Sequence, residues 1–232
     1  MKIAVLSDIH GNSYALEAVL EEAKSKDISH LLILGDIVGY YYYPEVVLDM
    51  LSEWSYDLIK GNHEKILEDL VHDRTIADTL RLKYGSGHKC AIEKLNQSQL
   101  LDLKNLSDVK TVERCGLSFL MCHGSPWSND YYIYPDSTKR ILQQCDSKEH
   151  DFVLIGHTHR AFAVKNEHSV LINPGSVGQS RDVGGKASWC IINTENSSFS
   201  FVSTVYSIDK LLIDIEAKDP DINYLKEVLK RI

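Results

Sequence analysis

The chain has 232 residues, 44% of them apolar, with 33 acidic against 25 basic side chains and a formal net charge of −8 at pH 7. That length supports one sizeable core, read as a single domain over 1–232, and the acidic balance argues against binding nucleic acid through a broad basic face. There is no apolar run of about 18 residues and no charged start followed by a signal-type core, so neither a membrane span nor an export signal is expected, and the chain is read as cytoplasmic.

In chain order, the apolar run Ile3-Ala4-Val5-Leu6 reads as a buried strand that turns through Gly11 into an amphipathic helix. Asp8 and His10 sit in that turn. Asn12 or Ser13 is the expected N-cap, and the helix packs by Ala15, Leu16, Val19, Leu20 and Ala23. A second buried strand over 31–34 completes a βαβ unit and places Asp36 at the same sheet edge as Asp8. A helix over 44–52 and a short strand at 58–59 lead to Gly61-Asn62-His63-Glu64. Residues 65–106 read as mostly helical, broken at Gly85-Ser86-Gly87 and covering one face of the sheet.

From position 109 the period changes to that of strands, at 109–113 and 117–122, the second ending in His123-Gly124. A helix near 137–144 follows, then a buried strand over 152–155 that ends in Gly156-His157-Thr158-His159. Another over 170–172 ends in Asn173-Pro174-Gly175-Ser176. The tail reads as strands at 187–193, 199–206 and 211–215. A last helix is capped by Asp219, with Pro220 at its first position, and packs by Ile222, Leu225, Val228, Leu229 and Ile232.

Five of the ten histidines, with Asp8, Asp36 and Asn62, thus fall in polar turns that directly follow apolar strands. Gathering so many polar groups without a ligand is costly, which points to metal. The other five, His30, His72, His88, His150 and His168, read as surface residues. The five cysteines are odd in number and lack any C-x-x-C spacing, so neither a disulfide frame nor a thiolate zinc site is expected, and Cys122 reads as a core hydrophobe. A donor set of imidazole, carboxylate and amide suits Mn, Fe, Ni, Co or Zn, with Mn the first choice. Eight groups are too many for one ion. Two cations about 3.5–4 Å apart account for the number and are suited to clamping a phosphate ester and activating water.

Asp8-x-His10, Gly35-Asp36, Gly61-Asn62-His63-Glu64, His123-Gly124 and Gly156-His157-Thr158-His159 resemble the five ordered motifs of the calcineurin-like metallophosphoesterases. Asn173 to Gly178 resembles a segment of the small bacterial and archaeal branch, so the resemblance spans about three quarters of the chain. It implies an α/β fold, a four-layer α-β-β-α sandwich of two mixed sheets. It also implies that Asp8, His10 and His159 hold a first metal, that Asp36 bridges, and that Asn62, His123 and His157 hold a second. His63 resembles the non-ligand histidine that protonates the leaving oxygen. The Ser/Thr protein phosphatase branch carries an orienting Asp and a phosphate-binding Arg after the bridging Asp. Here that segment reads Ile37-Val38-Gly39-Tyr40, with neither. Glu64 is either an aid to His63 or a helix-start carboxylate.

The expected activity is dimetal hydrolysis of phosphodiesters or phosphomonoesters of small molecules, nucleotides among them. An inactive scaffold of the same fold and a nuclease are the alternatives. Asn12, Tyr40 and Arg181 are the candidate substrate contacts, with Asp182 beside Arg181. Seven of the twelve tyrosines lie in two loops, 40–43 and 131–134, near Trp127. These loops read equally as a stacking surface for a nucleobase or aryl group and as loop packing or the contact of a homodimer.

Overall fold

The computed structural model describes residues 1–231. Its first half alternates strand and helix: β1 (Lys2–Leu6), α1 (Ser13–Ser25), β2 (Ile28–Ile33), α2 (Pro44–Ser52) and β3 (Tyr56–Leu58). Four helices follow, α3 (Asn62–His72), α4 (Ala77–Tyr84), α5 (Gly87–Lys94) and α6 (Gln97–Lys104). The second half is strand-rich, with β4 (Val109–Arg114), β5 (Leu117–Cys122), α7 (Lys139–Gln144), β6 (Phe152–Leu154), β7 (Ala161–Lys165), β8 (Val170–Pro174), β9 (Lys186–Asn193) and β10 (Ser198–Val205). Two helices close it, α8 (Asp209–Lys218) and α9 (Asn223–Glu227).

The strands form two five-stranded mixed sheets, ordered β10-β9-β1-β2-β3 and β4-β5-β6-β8-β7. In the first, β1, β2 and β3 run parallel and β9 returns antiparallel beside β1. In the second, β5, β6 and β8 are the parallel core. Between the sheets lies an apolar layer in which Ile3, Val5, Leu32 and Ile192 meet Phe119, Met121, Phe152 and Ile172. Strands buried on both faces must be apolar at nearly every position, which is why 3–6 in β1, 31–33 in β2 and all of β6 read as hydrophobic runs. The outer face of the first sheet packs on α1 and α2 through Leu16, Val19, Val47 and Leu51. Ile141 and Leu142 of α7 cover the second beside Val153 and Phe162. The layers are therefore α-β-β-α. The parallel strands of both sheets deliver their carboxyl ends to one edge, where α/β proteins place their sites.

Several expectations change. Residues 211–215 lie within α8, because Leu211 and Ile215 are the buried pair, four residues apart, while Ile213 is exposed. The apolar cluster there read as a strand, but helical spacing decides. Asp219 does not cap the last helix, which begins at Asn223 with Ile222 before it. It is fully buried and accepts from the N–H and hydroxyl of Ser86 and from the Tyr42 hydroxyl. Ile222, Leu225, Val228 and Leu229 do pack inward, while Ile232 lies outside the described residues. The strand β7 went unread because it is a short sheet edge with one buried side chain, Phe162. His30 is buried between β2 and β3, its Nε2 2.8 Å from an Asp57 carboxylate that also receives Lys110 and Arg114.

Candidate metal centre

The turns after β1, β2 and β6 leave their strands through the left-handed backbone region. The φ angles are 55° at Asp8, 53° at His10, 55° at Asp36, 66° at His157 and 59° at His159. That region costs a non-glycine residue of order 1 kcal/mol or more, so five instances at one edge mark a place where surrounding structure over-determines the backbone. The surroundings are the turns themselves. The N–H groups of Asp8, His10 and Gly11 donate to the carbonyls of Gly35, Asp36 and Ile37, joining the β1 and β2 turns within the first sheet. Val177 and Gly178 donate to Ser7 and Asp8 across the sheets.

The two carboxylates complete the lacing and keep one oxygen in reserve. Asp8 accepts at Oδ2 from the Ser7 hydroxyl and the His157 N–H. Asp36 accepts at Oδ1 from the His63 N–H at 2.8 Å. Their other oxygens, Asp8 Oδ1 and Asp36 Oδ2, are buried and receive no hydrogen bond. Buried carboxylate oxygens without a donor are costly, and each such pair calls for a cation.

Facing them are imidazoles whose tautomers are fixed from behind. Nδ1 of His10 donates to Val38 O at 3.0 Å, Nδ1 of His123 to Leu34 O at 2.6 Å, and Nδ1 of His159 to Gln179 O at 2.8 Å. Nε2 of His157 donates to Asp130 O at 3.1 Å. A carbonyl only accepts, so each of these nitrogens carries the hydrogen and the other ring nitrogen turns its lone pair inward, the arrangement of a metal-ligating histidine held by an outer partner. Nε2 of His10 and Nε2 of His159 stand 3.1 Å apart, and each lies within 3.7 Å of Asp8 Oδ1. Nε2 of His123 is 3.2 Å from Asp36 Oδ2 and 3.0 Å from Asn62 Oδ1. The structure thus gathers Asp8, His10 and His159 into one group and Asp36, His123 and His157 into another, with His10, Asp36 and His63 between them, each group within 4.8 Å. This donor chemistry fits divalent metal.

The electrostatics agree. Burial lowers His10 and His159, and with His123 nearby it pushes His157 down to about 4, so these rings are neutral at pH 7. Burial would raise Asp8, but His159, His123 and His10 outweigh it and hold the carboxylate ionised. His123 is the exception: burial opposes the charge, yet Asp36 and Asp8 push it up to about 9. A metal arriving there at neutral pH must displace a proton.

The sequence profile of the calcineurin-like phosphoesterase superfamily domain matches residues 1–197. The chain belongs to that superfamily. This phosphoesterase, a hydrolase of phosphoester bonds, is 30% identical over 226 residues to an uncharacterized protein of Methanocaldococcus jannaschii, covering 90% of this chain and 89% of that one. Its fold is similar to that of a hypothetical protein from Pyrococcus horikoshii, with a TM-score of 0.83, 23% identity and coverage of 99% of this chain and 98% of that one. It is similar also to a metallophosphoesterase from Sphaerobacter thermophilus, with a TM-score of 0.79, 23% identity and the same coverage.

Around the phosphoesterase's centre, the candidate substrate contacts separate. Asn12 is buried and committed to the fold: its Oδ1 caps α1 at the Ala15 N–H, and its Nδ2 donates to Gly178 O and the Tyr206 hydroxyl. Tyr40 is buried edge-on against His10, with ring centroids 4.7 Å apart. Tyr41 and Tyr42 are fully buried with α8 and α9, so this loop is packing rather than a stacking surface. Arg181 is half-buried, faces Tyr40, Tyr132 and Tyr224, and keeps its Nε without a partner. Asp182 turns away to the Ala161 N–H.

The second aromatic loop is different. Tyr132 is 46% exposed with its ring centroid 4.0 Å from that of His157, and Trp127 is 45% exposed. With Tyr84, Lys65 and Lys83 they line a groove of about 580 Å³ whose wall includes Asn62 and His157. A more apolar cleft of about 240 Å³ lies between α3 and α6, on the outer helical layer.

Glu64 resolves as a structural carboxylate, accepting from the N–H groups of Asp36, Gly61, Ile37 and Val38 at 2.8–3.2 Å. One histidine expected at the surface belongs instead to the centre. His88 is buried, and its Nε2 lies 3.2 Å from Nδ1 of His63. The signal for it was the Gly-Ser-Gly break just before it, which marks a close backbone approach.

Proposed function

We propose that this chain is a cytoplasmic, single-domain dimetal phosphoesterase that hydrolyses phosphodiesters or phosphomonoesters of small molecules with water as the nucleophile. Asp8, His10 and His159 would hold one divalent ion, Mn first among the candidates, and Asn62, His123 and His157 a second, with Asp36 shared. When bound, the ions supply Lewis-acid activation of water and stabilise charge growing on the phosphoryl oxygens. The observation that carries the reading is the pair of buried carboxylate oxygens without hydrogen bonds, faced by the inward ring nitrogens of four carbonyl-anchored imidazoles.

The remaining residues act on substrate. His63 is not held by a carbonyl; it stands beside His10 and Asp36 and is assigned as the proton donor at the leaving oxygen. Burial and the surrounding imidazoles keep it neutral at rest, and the negative charge of a bound phosphate draws a proton from solvent onto it. Arg181, a cation with a free Nε, binds a phosphoryl oxygen. Tyr132 and Trp127 stack on the aromatic part of the ester, which favours nucleotide-like or aryl esters in the groove.

The test is turnover of an aryl phosphodiester and the matching monoester by the purified chain loaded with Mn, with and without a chelator. Hydrolysis abolished by chelator and restored by Mn is expected. An Mn-loaded chain that turns over neither ester overturns the assignment in favour of a scaffold.

A further inference from the structure

The segment after Asp36 offers His63 no carboxylate, and Glu64 is fully engaged by backbone N–H groups. The group on Nδ1 of His63 instead comes from a different helix. His88, in the first turn of α5, is 1% exposed, and its ring is parallel to that of His63 within 7°, with centroids 5.0 Å apart. Tyr84, at the end of α4, closes edge-on over both rings, with centroids 4.8 Å from His63 and 5.8 Å from His88.

The placement is built rather than incidental. A Cβ at Gly87 would overlap the Gly39 carbonyl, so only glycine lets α5 start this close to the loop after Asp36. Gly39, at φ +120°, is glycine for a complementary reason: a Cβ there would overlap Nδ1 of His63. Ser86 is pinned by its N–H and hydroxyl to buried Asp219 at 2.8 and 2.7 Å, and Arg81 reaches the same carboxylate at 3.3 Å. Two glycines and a buried carboxylate thus fix the approach of one imidazole to another.

We propose that His88 is a positioning residue for His63: its Nε2 accepts the Nδ1–H of His63 and fixes that ring so that Nε2 of His63 is presented to the leaving oxygen. Burial pushes His88 down to about 4, which keeps it neutral at working pH and leaves one ring nitrogen able to accept. An aspartate in this role would stabilise charge on His63. A neutral imidazole supplies orientation without that charge, so its loss should act on geometry.

The inference rests on the reading of His63 as the proton donor, and the experiment separates the two. Mn-loaded wild type, H63A, H88F, H88Q and the H63A/H88F double variant are compared on phosphodiesters with 4-nitrophenyl and phenyl leaving groups. Phenylalanine keeps the ring volume without an acceptor, and glutamine keeps an acceptor at similar reach. H88F is expected to lower kcat for the phenyl ester about 10- to 100-fold, the nitrophenyl ester less, with little change in KM or metal content. H88Q should stay within about 3-fold of wild type, and H88F should add nothing in the H63A background. If H63A loses rate selectively but H88F costs both esters equally, or its effect multiplies with that of H63A, or H88Q falls as far as H63A, His88 is only packing. An H63A variant with wild-type rates removes both assignments.

Discussion

Asp8 and Asp36 each divide their oxygens between architecture and chemistry, one oxygen holding the N–H of a neighbouring turn and one left without a donor. His63 is distinguished from the other clustered imidazoles by what stands behind it, an imidazole instead of a carbonyl. Replacing His63 with alanine should therefore leave metal content unchanged and lower kcat by about 10²- to 10⁴-fold, most with poor leaving groups, in steady-state assays. Tyr132 should matter differently: Y132A is expected to raise KM about 10-fold for aryl and nucleotide esters and hardly at all for alkyl esters, because one stacking contact is lost. At this scale the seven proposed ligands and His63 were legible because each follows an apolar strand in a short turn. His88 and His30 were not, since a buried imidazole in a polar stretch declares itself only through its partner. Those partners, His63 and Asp57, are 25 and 27 positions away in sequence.

Among the elements, the parallel strands β1, β2, β5 and β6 do the positioning by ending at one edge and turning sharply there. Their apolar runs made them readable, while β7 and α8 were obscured by opposite causes. β7 buries one side chain and gives little periodic signal; α8 carries a dense apolar cluster whose exposed Ile213 masks the four-residue spacing of Leu211 and Ile215. The start of α5 is the element most exposed to substitution. Gly87→Ala must push α5 away from the Gly39 carbonyl, and a loss of about 1–3 kcal/mol in urea unfolding is expected, together with reduced turnover. Wild-type stability in that variant would mean the approach is looser than drawn.

For the whole molecule, the buried imidazoles set a pH window. His88 and His157 are lowered to about 4 in the folded chain against about 6.5 when exposed, so their contribution is present above pH 6.5 and is lost as pH falls through 4. His123 has the opposite sign: raised to about 9, it stabilises below pH 6.5 and that contribution is lost as pH rises through 9. Glu64, raised to about 7 by burial and by Asp36, has the sign of His123 and offsets about 2 kcal/mol at pH 5, but His10, His63 and His159 are lowered alongside His88 and His157. The metal-free chain should therefore lose stability from pH 7 to pH 5 and again towards pH 9.5, read as falling urea midpoints, with His88 and His157 each costing about 2 kcal/mol at pH 5. A midpoint that does not fall at pH 5 would show these rings to be solvated. One functional edge was legible in the order of strand and polar turn, because it is where the apolar runs of the parallel strands stop; the four layers were legible only through the resemblance to the calcineurin-like family.

The central claim is that side chains from both sheets enclose two cations with Asp36 between them. Elemental analysis of the folded chain, loaded with Mn and freed of excess by gel filtration, tests it most directly when wild type and Asp36→Asn are compared. Two equivalents per chain in wild type and fewer than one in the variant are predicted. A wild-type chain that retains no metal, or a variant that retains both ions, would contradict the account.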